Sequence, residues 1–415
     1  MNTLQKSVLL FVCLSTASLC YGQDSESQRW VLQLQSPFPA MREQAQNKLI
    51  ESGPESGAVL PDASDPNLPA DVKRRIERIR KAWDERSGLA FLQPSAVESN
   101  PTQSLESWLQ TVSEKTGNPV DFKRLNSEIL SAPVGELKST SFWQALDELA
   151  LQNRLKYSWF ERPKAVRLQP GGTGSASPVV YQGPFRVEVQ EIGTTIRPAD
   201  PSTNAVRAGL ILAWEPRLRP IYIDIEPKII YSDGSSKTGE SIQILGGEGM
   251  AKPMDFIFPL TSPNGKKPAA LSGLFSVVIA GESKTFSFPL AETSESKPAS
   301  ARQDQAVVVL KSVRQSDDQS VSAQLAVEFD ESYNGLRSYM TWLNNNKAYA
   351  VDANGVRYES TNWETVWQSD RGAEAKYYFT VPQNAKIKRI EYCSPTAIRR
   401  VDYSFTFEEI FSEIF

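Results

Sequence analysis

The chain of 415 residues contains no histidine and only three cysteines. Without an imidazole side chain it cannot form a Ser-His-Asp triad, a Cys-His pair or a histidine-bearing zinc helix. Cys13 and Cys20 lie within the first 22 residues, which leaves Cys393 as the single cysteine of the remaining chain. That remaining chain therefore cannot form an intramolecular disulfide or a zinc site of four thiolates.

The first 22 residues have the pattern of a cleavable signal peptide. Lys6 supplies positive charge, residues 8–14 are apolar, and the small Gly22 precedes a polar stretch. The apolar run is too short to span a bilayer, and no later run reaches the roughly 18 apolar residues of a transmembrane helix. We therefore expect an exported protein with no transmembrane segment in its mature chain.

The compartment expected for the mature chain is the periplasm or the surface of a bacterium. The sequence offers no disulfide and no Asn-x-Ser/Thr site in which x is not proline. Eukaryotic secreted proteins of this size commonly carry one or the other. A lipid anchor at Cys20 is not expected, because Leu19 stands where a lipoprotein signal has a small residue.

The charge balance does not indicate a nucleic-acid partner. The sequence has 45 basic and 49 acidic residues, a net charge of −4. Basic residues are concentrated at positions 73–81, on one face of a predicted helix. Since export is expected, a solvated helix face is the favoured interpretation of these cations.

No motif in the sequence assigns a catalytic, cofactor-binding or metal-ligating residue. Ser294 and Lys297 have Ser-x-x-Lys spacing, but they lie in a polar linker where nothing would desolvate the lysine. Asp352 and Asn354 resemble the start of a calcium loop that lacks its distal glutamate, and with Gly355 they predict a hairpin turn. A carboxylate pair for glycoside hydrolysis is not excluded, although no pair among the 49 acidic residues is singled out.

Residues 23–88 have the pattern of a short helical hairpin. Apolar residues at helical spacing mark one face of each of two helices, and they are Ala45 and Leu49 in the first and Val72, Ile76, Ile79 and Trp83 in the second. Two short helices with a proline-rich break and a basic second helix resemble a HEAT-type repeat. The resemblance implies a helical hairpin in this region.

Residues 89–169 contain two copies of one unit, offset by 37 residues. In each copy a serine, Ser104 or Ser141, precedes an amphipathic helix, which is followed by a polar turn and a strand. Ser141 and Gln144 also have the spacing of a capping box. Two further strands are predicted, at residues 134–138 and 165–169.

This repeated unit resembles the short N-terminal domain of secretins and TonB-dependent receptors. The residues that carry the resemblance are mostly core positions of the helices and the strands after them, and they are Ser104, Leu105, Leu109, Thr116, Gly117, Phe142, Ala145, Leu146, Leu149, Leu155 and Tyr157. The resemblance implies a small α+β domain that contacts other proteins of the cell envelope.

After Pro170 the apolar period changes from 3.6 to 2, which predicts strands. Residues 170–178 and 291–302 are rich in small and polar residues and predict linkers. The segments that follow them, residues 179–290 and 303–415, are each expected to form a β-sandwich.

The first of these segments shows its strands and turns clearly. Phe185, Val187 and Val189 alternate with Arg186, Glu188 and Gln190, which predicts a strand with one buried and one exposed face. The Asp-Gly and Asn-Gly pairs at residues 233–234 and 264–265 predict tight turns. Residues 214–220 and 391–398 resemble β-sandwich segments of uncharacterised exported bacterial proteins, which imply no particular activity.

Two tryptophans of the last segment are the candidate ligand residues. Trp363 and Trp367 are expected on one face of a strand, because side chains alternate with period two. If that face is exposed, the indoles form a stacking platform for a polysaccharide. Burial is the favoured alternative, because burying an indole removes on the order of 200 Å² of its surface from water, which is stabilising.

The sequence thus predicts a multidomain protein of α+β and all-β domains: a signal peptide, a short helical hairpin, a small βα-repeat domain and two β-sandwiches. The expected function is a non-enzymatic scaffold that contacts an envelope protein, without a cofactor. A cell-surface carbohydrate-binding protein is the first alternative and a carboxylate-based glycoside hydrolase the second. Two buried acids in an open cleft would indicate the hydrolase, and an exposed aromatic strip would indicate saccharide binding.

Overall fold

The computed structural model describes residues 26–53, 60–61, 68–159, 165–172, 177–246, 249–290, 298–315, 319–337, 343, 346–383 and 385–412. Over these ranges the protein is mostly β, with six helices and several sheets. It forms two compact units that divide after Phe91. No helix in these ranges is long and apolar enough to cross a membrane.

The first unit is helical over its described residues. Its helices are α1 (26–33), α2 (Pro39–Ser52) and α3 (Ala70–Ala90). The six apolar positions that define the two predicted helix faces are all buried in one core, which confirms both faces. Trp83 adds a hydrogen bond between the helices, since its Nε1 donates to the carbonyl oxygen of Leu49 at 2.8 Å.

The second unit begins with a small α+β domain. Its elements are α4 (Leu105–Thr116), β1 (Val120–Asp121), α5 (Ser127–Ser131), α6 (Phe142–Gln152), β2 (Leu155–Tyr157) and β3 (Val166–Pro170). β3 lies in the centre of the sheet, parallel to β1 and antiparallel to β2. Each copy of the repeated unit therefore contributes a helix and the strand after it, as predicted.

The ends of α4 follow the prediction. The Ser104 hydroxyl accepts a hydrogen bond from the Ser107 amide at 3.3 Å, which caps the first turn. Gly117 ends the helix with a φ of 69°, in the left-handed region that favours glycine. The capping box expected at α6 is not formed, because the Ser141 hydroxyl donates to the side chain of Gln144 instead.

Of the two further strands predicted in this domain, one is present. The prediction for residues 165–169 is confirmed by β3. Residues 134–138 form no strand. Pro133 has no amide hydrogen to donate and Gly135 has a φ of 74°, so a regular ladder is interrupted at this point.

Two facing sheets, which we call the first sheet pair, follow the α+β domain. One sheet contains β4 (Val179–Gln182), β5 (Phe185–Thr195), β6 (Ala205–Trp214) and β10 (Ala251–Pro259). The other contains β7 (Pro220–Tyr231), β8 (Ser236–Thr238), β9 (Ile242–Leu245), β11 (Pro268–Ala280) and β21 (Ile398–Glu408). Phe185 of β5 contacts Phe275 of β11 and Tyr403 of β21, with ring centroids 5.5 and 5.1 Å apart, so a core lies between the sheets.

A second sheet pair is built from the remaining strands. One sheet contains β12 (Ser283–Pro289), β16 (Lys347–Asp352), β17 (Arg357–Glu359) and β20 (Ile387–Pro395). The other contains β13 (Ala299–Gln303), β14 (Ala306–Gln315), β15 (Ser320–Phe329), β18 (Asn362–Gln368) and β19 (Gly372–Thr380). Phe286 and Ile390 from one sheet share a hydrophobic core with Leu325 and Phe379 from the other.

The strands do not divide between the sheet pairs at the expected linker. β12 precedes residues 291–302 in the chain, yet it pairs with β20 of the second sheet pair. β21 comes last in the chain, yet it pairs with β11 of the first sheet pair. The end of the expected linker is itself a strand, β13, while residues 291–297 lie outside the described residues. Ile221 and Tyr222 of β7 also join the core of the second sheet pair, so the two pairs are continuous.

Both tight turns predicted in the first sheet pair are confirmed. Gly234 and Gly265 have φ angles of 81° and 74°, as such turns require. The Asp233 carboxylate accepts hydrogen bonds from Ser235 in its own turn and from Asn264 in the other. These hydrogen bonds hold the two turns together and lower the pKa of Asp233 to about 2.

Candidate functional site

The turn between β6 and β7 contains a glutamate that is fully buried. The Glu215 carboxylate accepts hydrogen bonds from the backbone amide of Ser95 at 2.8 Å, the Ser95 hydroxyl at 2.5 Å and Asn118 Nδ2 at 3.0 Å. Arg217 Nε forms an ion pair with it at 2.6 Å. We call these four residues the Glu215 network.

The Glu215 network joins two domains. Ser95 and Asn118 belong to the α+β domain, whereas Glu215 and Arg217 belong to the first sheet pair. Arg217 reinforces the junction, because its Nε also donates to Ser95 Oγ at 2.8 Å and its backbone amide donates to Asn118 Oδ1 at 3.0 Å. The turn at residues 214–220 is therefore bound to the α+β domain by hydrogen bonds, several of which involve a charged side chain.

A second polar cluster lies at the same junction, centred on Asp147 of α6. Tyr157 donates its hydroxyl to Asp147 Oδ1 at 2.6 Å, and Tyr181 donates to Oδ2 at 2.5 Å. Arg186 Nε donates to Oδ2 at 2.8 Å, and its guanidinium also forms an ion pair with Glu188. We call these five residues the Asp147 network, and it too spans both domains.

The burial of Arg186 and Glu188 corrects the expectation drawn from the alternation in β5. Both were expected on a solvent-exposed face, yet they are 3% and 8% exposed. The α+β domain covers this part of the sheet and supplies Asp147 as a partner for the arginine. Gln190, farther along the strand, is exposed as expected.

Aromatic rings surround the buried guanidinium. Arg186 lies over the rings of Tyr157 and Trp159, at 5.1 and 5.8 Å from their centroids. Trp143 of α6 packs against both rings, and its Nε1 donates to the carbonyl oxygen of Pro184 at 3.0 Å. Cation–π contacts of this kind are strongest where water is excluded.

Both networks join the α+β domain to the first sheet pair through ion pairs and hydrogen bonds. Asp147 and Glu188 share one arginine, and Glu215 accepts three hydrogen bonds and pairs with Arg217, so each of these carboxylates has partners within the protein. Neither network lines the cavity bordered by Leu325 and Trp363 or the surface hollow bordered by Arg302 and Arg371. The two networks connect residues of the α+β domain with residues of the first sheet pair.

The Asp147 network makes a prediction for alkaline pH. Burial and the adjacent Asp147 carboxylate raise the pKa of Tyr157 and Tyr181 well above the usual value. In the unfolded chain both hydroxyls titrate near pH 10, about the ordinary tyrosine value. The two protonated tyrosines therefore stabilise the folded state fully below about pH 10, and this stabilisation is lost as the pH rises above that value.

Tyrosinate absorbance of the folded protein measures this effect. We expect Asp147→Asn to lower the pKa of both tyrosines, so that part of the absorbance appears at lower pH than in the unmodified protein. Asp255→Asn is the matched control, because Asp255 is exposed and pairs with Arg207 instead. Identical titration curves for the protein and Asp147→Asn, with circular dichroism showing both folded, would contradict the assignment.

The candidate residues Trp363 and Trp367 do not share a face. Along β18, Thr365 is paired with Ala375 but Trp367 with Glu374, so Val366 is the extra residue of a β-bulge. The bulge reverses the alternation. Trp363 therefore packs against the core of the second sheet pair, while Trp367 lies on the outer face of its sheet.

A buried carboxylate fixes the indole of Trp367. Trp367 Nε1 donates to Glu374 Oε2 at 2.5 Å, and Glu374, which is 2% exposed, also pairs with Lys311 and accepts from Gln324. Burial acts to raise the pKa of Glu374, but the hydrogen bonds from Lys311, Gln324 and Trp367 lower it below the usual value. The carboxylate thus remains charged and holds the indole in one orientation.

Trp363, on the inner face, borders a cavity of about 30 Å³ inside the second sheet pair. Leu325, Tyr377 and Tyr392 form other parts of its wall. This volume suits a few water molecules at most. The two indoles in line, the alternative expectation that would have made a polysaccharide platform, are not present.

The remaining motifs take structural roles or fall outside the described residues. Asp352 Oδ1 accepts the backbone amides of Asn354 and Val356 at 2.8 and 2.9 Å, so the predicted hairpin turn between β16 and β17 is confirmed. Among the described side chains no group of three acidic or cysteine residues is arranged as metal ligands. Residues 1–22, where a signal peptide is expected, and the Ser294–Lys297 pair lie outside the described residues.

The residues of the two networks were not singled out from sequence. Asp147 stands in an amphipathic helix and Arg186 in an alternating strand, where each has the appearance of an ordinary surface charge. The available signals were two resemblances, that of residues 214–220, which contain Glu215 and Arg217, to segments of exported bacterial proteins, and that of the repeated unit, which includes Tyr157.

Comparison with known proteins does not identify a family. No family model and no curated protein matches the chain. Among solved structures, the protein pT26-6p is similar with a TM-score of 0.19 and 8% identity, over 60% of this chain and 67% of that one. S. aureus TarS is similar with a TM-score of 0.14 and 9% identity, over 87% of this chain and 50% of that one.

Proposed function

We propose that this protein is an exported, non-enzymatic scaffold of the bacterial cell envelope, with the α+β domain as its protein-contact module. The observation that supports this most directly is the placement of the buried charges. A carboxylate-based hydrolase needs two acids that face a substrate in a cleft. Here Asp147, Glu188 and Glu215 bind partners within the protein and join one domain to the next.

The architecture supports the same function. We propose that each sheet pair is a β-sandwich, and that the crossing of β12 and β21 links the two sandwiches into one support. The Glu215 and Asp147 networks fix the α+β domain on that support. A scaffold of this kind presents a contact domain in a constant orientation.

The outer faces of α4 and α6 are the proposed contact surface. Gln110 and Glu114 of α4 are exposed, and Leu151 of α6 is 44% exposed. These residues lie on the sides of the helices that do not pack on the domain's own core. The resemblance to contact domains of envelope receptors agrees with this assignment.

Site-specific cross-linking tests the scaffold function. A photo-reactive residue at position 151 is expected to cross-link an envelope protein in extracts of the source organism. The matched control is the same group at Leu274, which is 58% exposed on a sheet of the first pair. The proposal fails if position 151 yields no cross-link, or if both positions yield the same products.

Export has its own test. Expressed from its full sequence in a bacterial host, the protein is expected in the periplasmic fraction with Gln23 as its first residue. The reason is the charged, apolar and small-residue pattern of the first 22 residues. N-terminal sequencing gives the answer, and cytoplasmic protein that retains Met1 would refute the export assignment.

A further inference from the structure

A surface hollow of about 320 Å³ lies on the outer face of the sheet that contains β13, β14, β15, β18 and β19. Its wall is formed by Arg302, Val307, Glu328, Phe329, Asp330 and Arg371. Strand register explains why these residues meet: Arg302 is opposite Val307, Val307 is opposite Glu328, and Glu328 is opposite Gly372. Its volume is in the range of sites that bind small molecules, which begins at about 300 Å³.

The charges around the hollow are only partly neutralised within the protein. Arg302 forms an ion pair with Asp330. In the described part of the chain, the Arg371 guanidinium and the Glu328 carboxylate form no hydrogen bond or ion pair with another residue. The hollow thus offers one cation able to bind a carboxylate, next to oxygen atoms able to accept hydrogen bonds.

The fixed indole of Trp367 lies close to Glu328, which is part of the wall of the hollow. Gly372 separates Trp367 from Glu328, and a Cβ atom at Gly372 would lie 3.1 Å from Trp367 Cη2 and 2.9 Å from Glu328 Cγ. A side chain at position 372 would therefore displace both residues. Glycine leaves room for the indole, which Glu374 orients, to lie across the strand beside Glu328.

We infer that this surface binds an acidic saccharide, a chain that contains hexuronate units. The indole provides a flat apolar surface for one face of a sugar ring. Arg371 pairs with the uronate carboxylate, while Glu328 and Asp330 accept hydrogen bonds from sugar hydroxyls. An acidic peptide fits less well, because it has no ring hydroxyls to donate to Glu328 and Asp330 and no sugar face for the indole. This site is independent of the proposed scaffold function.

The test measures binding of trigalacturonate to the full mature chain at low salt by calorimetry. Binding is expected to be weak, and Arg371→Ala should weaken it about tenfold, which corresponds to loss of one hydrogen-bonded charge pair. Arg371 is exposed, so this variant is expected to fold normally. Trp367→Leu should also weaken binding about tenfold, and if that variant does not fold, the Arg371 variants decide.

Controls separate this site from general attraction of anions. Arg78→Ala removes an exposed cation from α3 and should leave trigalacturonate binding unchanged. Maltotriose, which is neutral, should bind at least fivefold more weakly than trigalacturonate. The inference is overturned if trigalacturonate does not bind, if Arg371→Ala binds it equally well, if maltotriose matches it, or if a hexaglutamate peptide binds more tightly.

Discussion

Removal of residues 398–415 is expected to unfold the first sheet pair, although β4 to β11 remain in the chain. β21 pairs with β11 from Ala270 to Ala280, and its Phe405 and Phe407 are buried in the core. Burial of each phenylalanine contributes about 1.5–3 kcal/mol, and the net stability of a domain is only about 5–15 kcal/mol. Loss of these two side chains and of all hydrogen bonds between β21 and β11 would remove much of this net stability.

Limited proteolysis of two truncated proteins checks this prediction. The chain that ends at Ala397 lacks β21 and should be cleaved rapidly within β5, β6 and β7. The chain that ends at Ser412 retains β21 and should be as resistant as the full-length protein. Equal resistance of the two truncated proteins would show that β21 is not part of the first sheet pair.

Glu215→Ala is expected to lower the free energy of unfolding by about 3–5 kcal/mol. The substitution removes the carboxylate that pairs with Arg217 at the domain junction. It also removes the acceptor for the half-buried Ser95 and the fully buried Asn118. Removal of one member of a buried ion pair is strongly destabilising because the other member remains unpaired.

Urea unfolding followed by circular dichroism measures the effect of Glu215→Ala. Glu226→Ala is the matched control, because Glu226 lies on β7 in the same domain but is exposed. Its free energy of unfolding should stay within about 0.5 kcal/mol of the unmodified protein. A similar small change for Glu215→Ala would show that the Glu215 network does not hold the domains together.

Local patterns in the sequence predict local structure well in this protein. The stripe from Val72 to Trp83 has helical spacing, and all four of its apolar residues are buried in one core. Asp-Gly and Asn-Gly pairs predict their turns because glycine adopts the positive φ that these turns require. Such features depend on residues close together in the chain.

Strand partners were not predictable in the same way. Tyr403, Phe405 and Phe407 alternate as expected of a strand, but a period of two does not indicate which sheet the strand joins. Chain order favours the neighbouring strands of the second sheet pair. The structure instead pairs β21 with β11, so a sheet boundary drawn at a polar linker misplaces it.

The candidate ligand residues illustrate a second limit of periodicity. Strict alternation places Trp363 and Trp367 on one face, but the bulge at Val366 reverses the alternation between them. Nothing in the local residue types marks this bulge. One inserted residue decides that Trp363 packs against the core and that Trp367 lies on the outer face, close to Glu328 of the proposed acidic-saccharide site.

Domain junctions set a third limit. Arg186 and Glu188 alternate with apolar residues, which favours a solvent-exposed face for them. Their burial depends on a helix about 40 positions earlier in the chain, where Asp147 supplies the counter-charge. The pairing of Asp147 with Arg186 depends on how the two domains pack. It therefore cannot be predicted from the helix pattern or from the strand pattern alone.

Native-state hydrogen exchange of the chain from Gln23 onward, in increasing urea, tests most directly whether the second unit unfolds as one support. Amides of α4, β6, β11 and β20 are expected to reach a single common opening free energy, because the two networks and the exchanged strands couple their unfolding. Separate opening free energies for the α+β domain and for each sheet pair would contradict the account.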